Sequence, residues 1–510
     1  MAEFADYRTD AVYELNYTKD IGPQLIRLSL ALQGIAMPDG GAEPFRYLEL
    51  GYGFGLSVNV HAAGYGGEFW GTDFMEQHAA FANKLGDASG VDKHFLRKSF
   101  ADMDAMAKAG ELPQFDVIAF HGIWSWVNAE NRQHILNVVD RCLKPGGVVY
   151  NSYNALPGWS YFLPVREIMR LNGERLGEDR PIEDRVKETL EYTSALAKAG
   201  AAFFKVNPAA KLRLEGLPKM PLRYLAQEYF NRTWLPCYFA DVAEQFNAIG
   251  CTFASSTNLL QMTGALVPPE ARTIIAGMPN RQFRETLRDF AVNQTFRSDL
   301  FVRDPVRLNS REQKQSIENA KLMRLNPMVK ADLVVDASYG KLTLDREVYG
   351  AVLAALEEDG GAPKRIGDIF ARPVLENIDD KVRNEVVSVI IGRGWAWPAV
   401  DTVEPARLEA CRTLNRAICA EATEGHNMQV LASPVLASGV PISNEEMRFL
   451  YYRPEGDAPD MKEWVRRVVD SHMRQGKSIN FTAAMEKMLP LADLFVEVRL
   501  PYFKSLGVTF

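Results

Sequence analysis

Apolar positions recur at helical spacing early in the chain. Over residues 21–37 they fall at Leu25, Leu28, Ala31, Leu32 and Ile35, which predicts a helix. The turn PDGGAEP at 38–44 ends it. The pattern then changes. RYLEL, EFWGTD (68–73), HFLRKSF (94–100), FDVIAF (115–120) and VVYNSY (148–153) are short apolar runs, and each reads as a strand. Helical stretches fit between them. The clearest, 129–143, sets Ile135, Val138, Val139, Cys142 and Leu143 on one stripe and stops at Pro145-Gly146-Gly147. Strands alternating with helices predict an α/β, Rossmann-like domain, a parallel sheet covered on both faces. The sheet is expected over about 41–165, in a domain spanning 41–175.

The rest of the chain is mixed. Residues 178–200, PLRYLAQEYF and Asp241 to Gly250 read as helices. Residues 305–325, rich in Lys, Arg, Asn and Gln, read as a linker or exposed helix. Amphipathic helices are predicted at 345–358 and near 403–421. After residue 340 the order is helix, GDIF, helix, then VVSVII and GWAWPAV, which suggests a winged-helix-like unit. The expected organisation is an N-terminal helical segment (1–40) offering a dimer contact, the 41–175 domain, a mostly helical or mixed middle domain (176–305) and a C-terminal domain (306–510).

Composition narrows the class. A chain of 510 residues with 47% hydrophobic and 24% charged residues is globular and large enough for several cores. With 65 acids against 58 bases, its net charge of -7 argues against a nucleic-acid partner. The cysteines at 142, 237, 251, 411 and 419 form no CxxC pair. They read as reduced thiols of a cytoplasmic protein and offer no metal site. The opening MAEFADYRTDAVYEL lacks the form of a signal peptide, and no apolar run reaches membrane-spanning length.

The candidate chemistry centres on ELGYGFG at 49–55. Gly51, Gly53 and Gly55 allow a tight turn after the first strand and close approach of backbone to a ligand. A strand, glycine turn and helix make a nucleotide-type cofactor site. A dinucleotide would want glycine where Leu56 stands. S-adenosylmethionine has no pyrophosphate but carries a sulfonium and an amino-acid tail, and Glu49 is placed for that tail's ammonium. Asp73, ending the next strand, suits both hydroxyls of a ribose, with Phe74 beside it. Asp102 follows the third strand and suits an adenine amino group. Asp73 and Asp102 also read as plain helix caps.

Two aromatic loops follow the fourth and fifth strands: HGIWSWV (121–127) and NSYNALPGW (151–159). Ligands of open parallel sheets bind beyond the carboxyl ends of the strands, so both loops should face one cleft. The rings of Trp124, Trp126 and Trp159 attract cationic amines. Tyr153 and Asn154 can orient an amine by hydrogen bonds. His121 reads as a cleft wall more than a base. Each tryptophan also has a plain reading as core.

Here the chain resembles the bacterial class I methyltransferases that carry a methyltransferase regulatory domain, a group that includes the rickettsial outer-membrane-protein lysine methyltransferases. The resemblance rests on YELNYTKDIGP, LELGYGFG, FDVIAFHGIWSWV, VVYNSYNALPGW, YLAQEYFNRTWLPCYFADVA (224–243) and VLASPVLASGVPISNEE. It implies that Glu49, Gly51, Gly53, Asp73 and Asp102 hold the donor, while His121, Trp126, Tyr153 and Trp159 line the acceptor side. It further implies a homodimer. Two segments depart from the pattern. Gln227 replaces the histidine of the usual HEYxN segment, and Tyr52 and Phe54 occupy the glycine loop.

The expectation is methyl transfer from S-adenosylmethionine to protein lysine. A small-molecule or glycolipid methyltransferase is the first rival, and a binding or scaffold protein on an inherited fold is the second. Tyr224, Glu228, Tyr229, Asn231 and Trp234 are expected to form a lid or docking surface, or else to be ordinary helix packing.

Overall fold

The computed structural model describes residues 15–38, 43–177, 179–325, 330–454, 460–474 and 480–510. Seven strands form its main sheet: β1 (Arg46–Leu50), β2 (Glu68–Asp73), β3 (Lys93–Arg97), β4 (Phe115–Phe120), β5 (Leu143–Asn154), β6 (Cys251–Ser256) and β7 (Phe296–Arg303). Their order is β3-β2-β1-β4-β5-β7-β6. The first five are parallel, and β7 runs antiparallel between β5 and β6. The dinucleotide-binding order 3-2-1-4-5-6 has no such reversed strand.

Strand alternation separates two cores. Leu48, Leu50, Ile118 and Phe120 enter one. Tyr47, Phe69, Val117 and Ala119 enter the other. Both faces are therefore covered, as a parallel sheet requires. The connections diverge between β1 and β4. That switch point opens a crevice at the strand ends.

The boundary expected at residue 175 does not close the sheet. Strands β6 and β7, from the region expected to be a separate domain, pair along the edge of β5. Between β5 and β6 lies a helical insertion with its own core. Helices Leu163–Arg175, Ile182–Lys198 and Leu222–Phe230 bury Met169, Val186, Leu190 and Tyr229 there, together with Trp126, Trp159 and Trp234.

The N-terminal helix is Pro23–Ala31, shorter than expected, and Ile35 instead forms a bridge with Arg307. Residues 1–14, with the start of the YELNYTKDIGP motif, and residues 39–42 of the expected turn lie outside the described residues. The stretch 305–325 holds helix Ser310–Asn319 and strand Lys321–Arg324.

That strand modifies the winged-helix expectation. Helices Arg346–Glu357, Ile366–Phe370 and Asp380–Gly392 accompany a three-stranded antiparallel sheet. Its central strand is Lys321–Arg324, which precedes the helices, flanked by Lys364–Arg365 and Ala396–Ala399. VVSVII lies inside helix Asp380–Gly392. Its branched side chains are buried, and that burial outweighs the small propensity cost of β-branching.

The C-terminal region braces the glycine loop from behind. Helix Pro405–Thr423 packs on helices Leu56–Tyr65 and Glu76–Ser89, and Lys84 pairs with Glu421. The Tyr17 hydroxyl contacts Ser438 Oγ at 2.7 Å and His61 Nε2 at 3.0 Å, tying three parts of the chain together. Among the described residues, no helix is long and apolar enough to cross a membrane.

Candidate active site

The chain turns sharply after β1. Gly51 N and Tyr52 N both donate to Thr72 O, at 2.8 and 3.2 Å. Gly51 has φ +76°, and a Cβ there would lie 2.5 Å from Ile123 Cδ1. Gly55, the N-cap of helix Leu56–Tyr65, has φ +71°, and its Cβ would lie 2.4 Å from Ala82 Cβ. Only glycine fits both the backbone and the space at these two positions. Tyr52 folds back under the loop and donates to Leu96 O at 2.9 Å. The Phe54 ring lies 4.4 Å from the His78 ring. The aromatic residues of the loop thus brace it.

Asp73 closes the loop. Its Oδ2 accepts from Gly53 N at 3.0 Å, and its Oδ1 accepts from Met75 N at 2.9 Å and contacts His78 Nδ1 at 3.0 Å. A carboxylate oxygen has two lone pairs. Oδ1 is therefore filled, and Oδ2 retains one place for a ligand hydroxyl.

Glu49 is nearly inaccessible, 4% exposed, and its Oε2 has no hydrogen-bond partner. Burial pushes its pKa up to about 8, and the negative charge of Asp73 adds to the rise. A buried carboxyl without a partner is costly unless something completes it. A ligand carrying fixed positive charge does so. The ammonium and sulfonium of S-adenosylmethionine suit this position, and the open hydrogen-bonding place on Asp73 suits its ribose.

Glu49, Gly51, Gly53, Asp73 and Phe74 line one continuous cavity of about 1010 Å³. His121, Trp126, Tyr153, Asn154 and Trp159 line the same cavity. Small-ligand sites usually enclose roughly 300–1,000 Å³, so this cavity lies at the upper end of that range.

Three expected residues stand elsewhere. Gly55 shapes the turn and does not line the cavity. Asp102 is exposed, and its carboxylate completes a capping box with Ser99 at 2.9 Å. The structure thus shows the cap, and Asp102 does not line the cavity. Trp124 is fully buried, its ring 5.9 Å from Phe120 and 5.4 Å from Phe246. It belongs to the core beneath the sheet.

Among the cavity residues, His121 Nδ1 meets Tyr150 OH at 3.1 Å and Ser152 Oγ at 3.0 Å. Burial lowers its pKa to about 4, which keeps the imidazole neutral. The Tyr153 hydroxyl donates to Asp299 Oδ2 at 2.7 Å, so its proton is not free for a ligand. The Asn154 backbone is fixed by Ser125 Oγ at 2.9 Å. Trp159 meets Trp234 edge-on at 5.0 Å, and Arg213 lies 4.3 Å over the Trp159 ring. Those contacts fasten the helical insertion to the cavity wall.

The insertion also delivers Tyr224 and Glu228 to the cavity. They sit one helical turn apart on Leu222–Phe230, so one face presents both. Burial raises the Glu228 pKa to about 7, against the pull of Arg213. Along the chain both residues read either as a lid or docking surface or as ordinary helix packing, and the carboxylate does not stand out. The available signal is an acid within the otherwise acid-free stretch PLRYLAQEYF. Asn16, Tyr17 and Thr18 line the cavity as well, a role the sequence did not suggest.

Fold and cavity define an S-adenosylmethionine-dependent methyltransferase, and comparison with known proteins agrees. A methyltransferase domain model matches residues 48–149, and the predicted methyltransferase regulatory domain matches residues 221–303. The chain is 31% identical to the protein sll1526 of Synechocystis, over 98% of this chain and 99% of that one. It is 26% identical to RP789 of Rickettsia prowazekii, over 58% and 51%. The structure of PKMT2 from Rickettsia typhi superposes with a TM-score of 0.69 at 17% identity, covering 97% of this chain and 99% of that one. The same protein in complex with AdoHcy gives 0.66 at 18%, with the same coverage. The chain belongs to the family of methyltransferases that carry this regulatory domain.

Proposed function

We propose that this enzyme methylates the side-chain amine of protein lysine. The observation that carries the reading is the composition of the one cavity. It joins an unpaired carboxyl at Glu49 to an aromatic and carboxylate wall made by Trp126, Trp159 and Glu228.

In this reading Glu49 takes the donor's ammonium and Asp73 Oδ2 takes a ribose hydroxyl, while Gly51 and Gly53 let the ligand lie against backbone. The bound donor supplies an electrophilic methyl on sulfonium. The chain's own work is on the acceptor. Glu228 draws the lysine ammonium inward, and the rings of Trp126 and Trp159 favour its cationic form at the entrance. Asn154 orients the nitrogen, its carboxamide making no hydrogen bond among the described residues. Farther in, burial and the donor's positive charge lower the amine pKa, and the proton leaves to solvent before the amine nitrogen takes the methyl and the sulfur departs as the neutral thioether. His121, held neutral, walls the cavity without adding a competing cation. Transfer then depends on alignment and on exclusion of water.

The helical insertion, which brings Tyr224 and Glu228 to the cavity wall, supports a macromolecular acceptor over a small enclosed one. The related structure of PKMT2 supports the same reading at the level of fold. A homodimer and a cytoplasmic site of action complete the proposal.

The test is transfer of labelled methyl from S-adenosylmethionine into a lysate of the source cells, with Glu49→Gln run in parallel. Label in discrete protein bands at lysine, absent with the variant, is the expected result. Label confined to the small-molecule or lipid fraction would overturn the protein-lysine reading and favour the rival acceptor class.

A further inference from the structure

A second cavity, of about 260 Å³, lies behind the catalytic one. The two share Thr295 in their walls. Helix Arg281–Val292 presents Glu285, Arg288, Asp289 and Val292 to it at helical spacing, and Asp336 adds a further carboxylate.

The charges inside do not balance. Arg297 lines the cavity, but its guanidinium is already used: Nε by Asp299 at 2.8 Å, Nη1 by Asp289 at 2.5 Å and Nη2 by Glu285 at 3.4 Å. Arg288 spends its Nη1 on the carbonyls of Gln261 and Thr263. Arg281, near Glu285, donates to Ala254 O at 2.7 Å. Bonding to neutral carbonyls leaves Arg281 and Arg288 charged, so the acids Glu285, Asp289, Asp299 and Asp336 outnumber the guanidiniums of Arg281, Arg288 and Arg297 by one. Asp289 is only 2% exposed, and its Oδ2 has no partner. Burial pushes the Asp289 pKa up to about 7 against the pull of Arg297, and a buried carboxyl oxygen without a partner costs stability unless a donor reaches it.

The rest of the lining describes that donor. Leu260, Met262, Leu266, Val267 and Val292 are apolar, a surface for a hydrocarbon stem. Among the described residues, no group of His, Cys, Asp and Glu has the arrangement to hold a metal ion. We propose that this second cavity is a binding site for an aliphatic cation, an alkylammonium or alkylguanidinium, whose charged head completes Asp289 and whose stem lies on the apolar wall. The site is separate from the donor and acceptor positions of the catalytic cavity and does not depend on the identity of the methyl acceptor. Both a free amine and a lysine or arginine side chain have this chemistry.

Calorimetric titration of the full-length protein with n-butylammonium and n-butylguanidinium chloride, at constant ionic strength, tests the proposal. One cation per chain is expected in Glu228→Gln, where capture in the catalytic cavity is removed, saturating below about 10 mM, a range suited to so few ligand atoms. Asp289→Asn should weaken binding at least tenfold. Because that variant also removes a partner of Arg297, Val292→Trp serves as a second one. It fills the cavity from its apolar side, and should abolish binding while melting within a few degrees of wild type. Glu228→Gln should leave this binding intact. Two results would overturn the site: no saturable binding of either cation, or binding lost in Glu228→Gln and unchanged in both Asp289→Asn and Val292→Trp, which would put the cation in the catalytic cavity. A lysine-containing tripeptide in the same titration separates the sources. Its binding assigns the cavity to a protein side chain, and its exclusion beside bound butylammonium assigns it to a free amine.

Discussion

Tyr153 on β5 and Asp299 on β7 are joined across the sheet by a buried hydrogen bond of 2.7 Å. The phenol lines the catalytic cavity, yet its proton points at a carboxylate that Arg297 already holds. Tyr153 therefore connects the acceptor wall to the ion cluster behind it. Its pKa is pushed far up, first by burial and then by Asp299, so it does not ionise near neutral pH. A phenolate base at this position is excluded.

Tyr153→Phe follows from that arrangement. Asp299 keeps Arg297, so no charge is orphaned. The variant should lose about 1 kcal/mol of stability, the worth of one buried hydrogen bond. Its affinity for S-adenosylhomocysteine should match wild type, and its turnover should fall less than tenfold. Calorimetric titration and steady-state rates check this. A loss of several hundredfold in turnover would place the hydroxyl in the reaction.

Glu49 makes stability depend on pH. Its carboxyl titrates near 8 in the folded chain against 4.5 ordinarily. Between those values the folded state holds a proton that the unfolded state has released. The stabilisation is complete below the lower value and is lost as pH rises towards 8, at about 1.4 kcal/mol per pH unit. Wild-type protein without ligand should therefore melt at falling temperature from pH 5 to 8. Glu49→Gln should flatten this slope and lose the thermal shift that S-adenosylhomocysteine gives wild type. An unchanged slope in the variant would assign the titration elsewhere.

Four of the first five strands were legible in the sequence because each is a short apolar run closed by a glycine, proline or aspartate turn, whereas β3 (Lys93–Arg97) ends at a serine N-cap and the expected run 94–100 extends into the following helix. Strands β6 and β7 were not. CTFASS and FRSDLFVR carry Ser255, Ser256, Arg297 and Asp299, all buried. Polar residues satisfied inside an ion cluster look like loop residues when read along the chain. The site shows the same division. Glu49 and Asp73 follow from their places at strand ends. Trp124 and Trp126 are two residues apart in one loop, yet one enters the core and the other reaches the cavity. Spacing alone does not distinguish them. Glu228 reaches the cavity only because the insertion folds back through Trp159 and Trp234, a long-range packing event.

Gly51→Ala and Gly53→Ala should differ. Both glycines adopt positive φ, which costs an alanine about 1 kcal/mol. At Gly53 a Cβ meets nothing within 4 Å, whereas at Gly51 it collides with Ile123. Gly51→Ala should therefore lose more stability than Gly53→Ala, by a further 1–3 kcal/mol or so from overpacking. Chemical denaturation measures both. The stability cost of Gly51→Ala should be smaller in an Ile123→Ala background than in wild type, and an equal cost in both would show that the clash is not its cause.

Glu228→Gln tests the acceptor side without touching the donor side. Burial sets the Glu228 carboxyl near pH 7, so its charge changes within the working range of the enzyme. In wild type, acceptor capture should strengthen as pH rises from 6 to 8, because the ionised carboxylate attracts the lysine ammonium. Glutamine keeps the shape and removes the charge. The variant should raise the acceptor KM at least tenfold and remove the rise attributable to this group, while its affinity for S-adenosylhomocysteine stays that of wild type. Amine deprotonation also accelerates transfer with pH, so the comparison is made on acceptor binding to the complex with S-adenosylhomocysteine, where no transfer occurs. If wild type and variant bind a lysine peptide equally at pH 8, Glu228 does not recognise the acceptor. Weakened binding of S-adenosylhomocysteine as well would instead make Glu228 a support of the whole cavity, and the separation into donor and acceptor sides would fail at this residue.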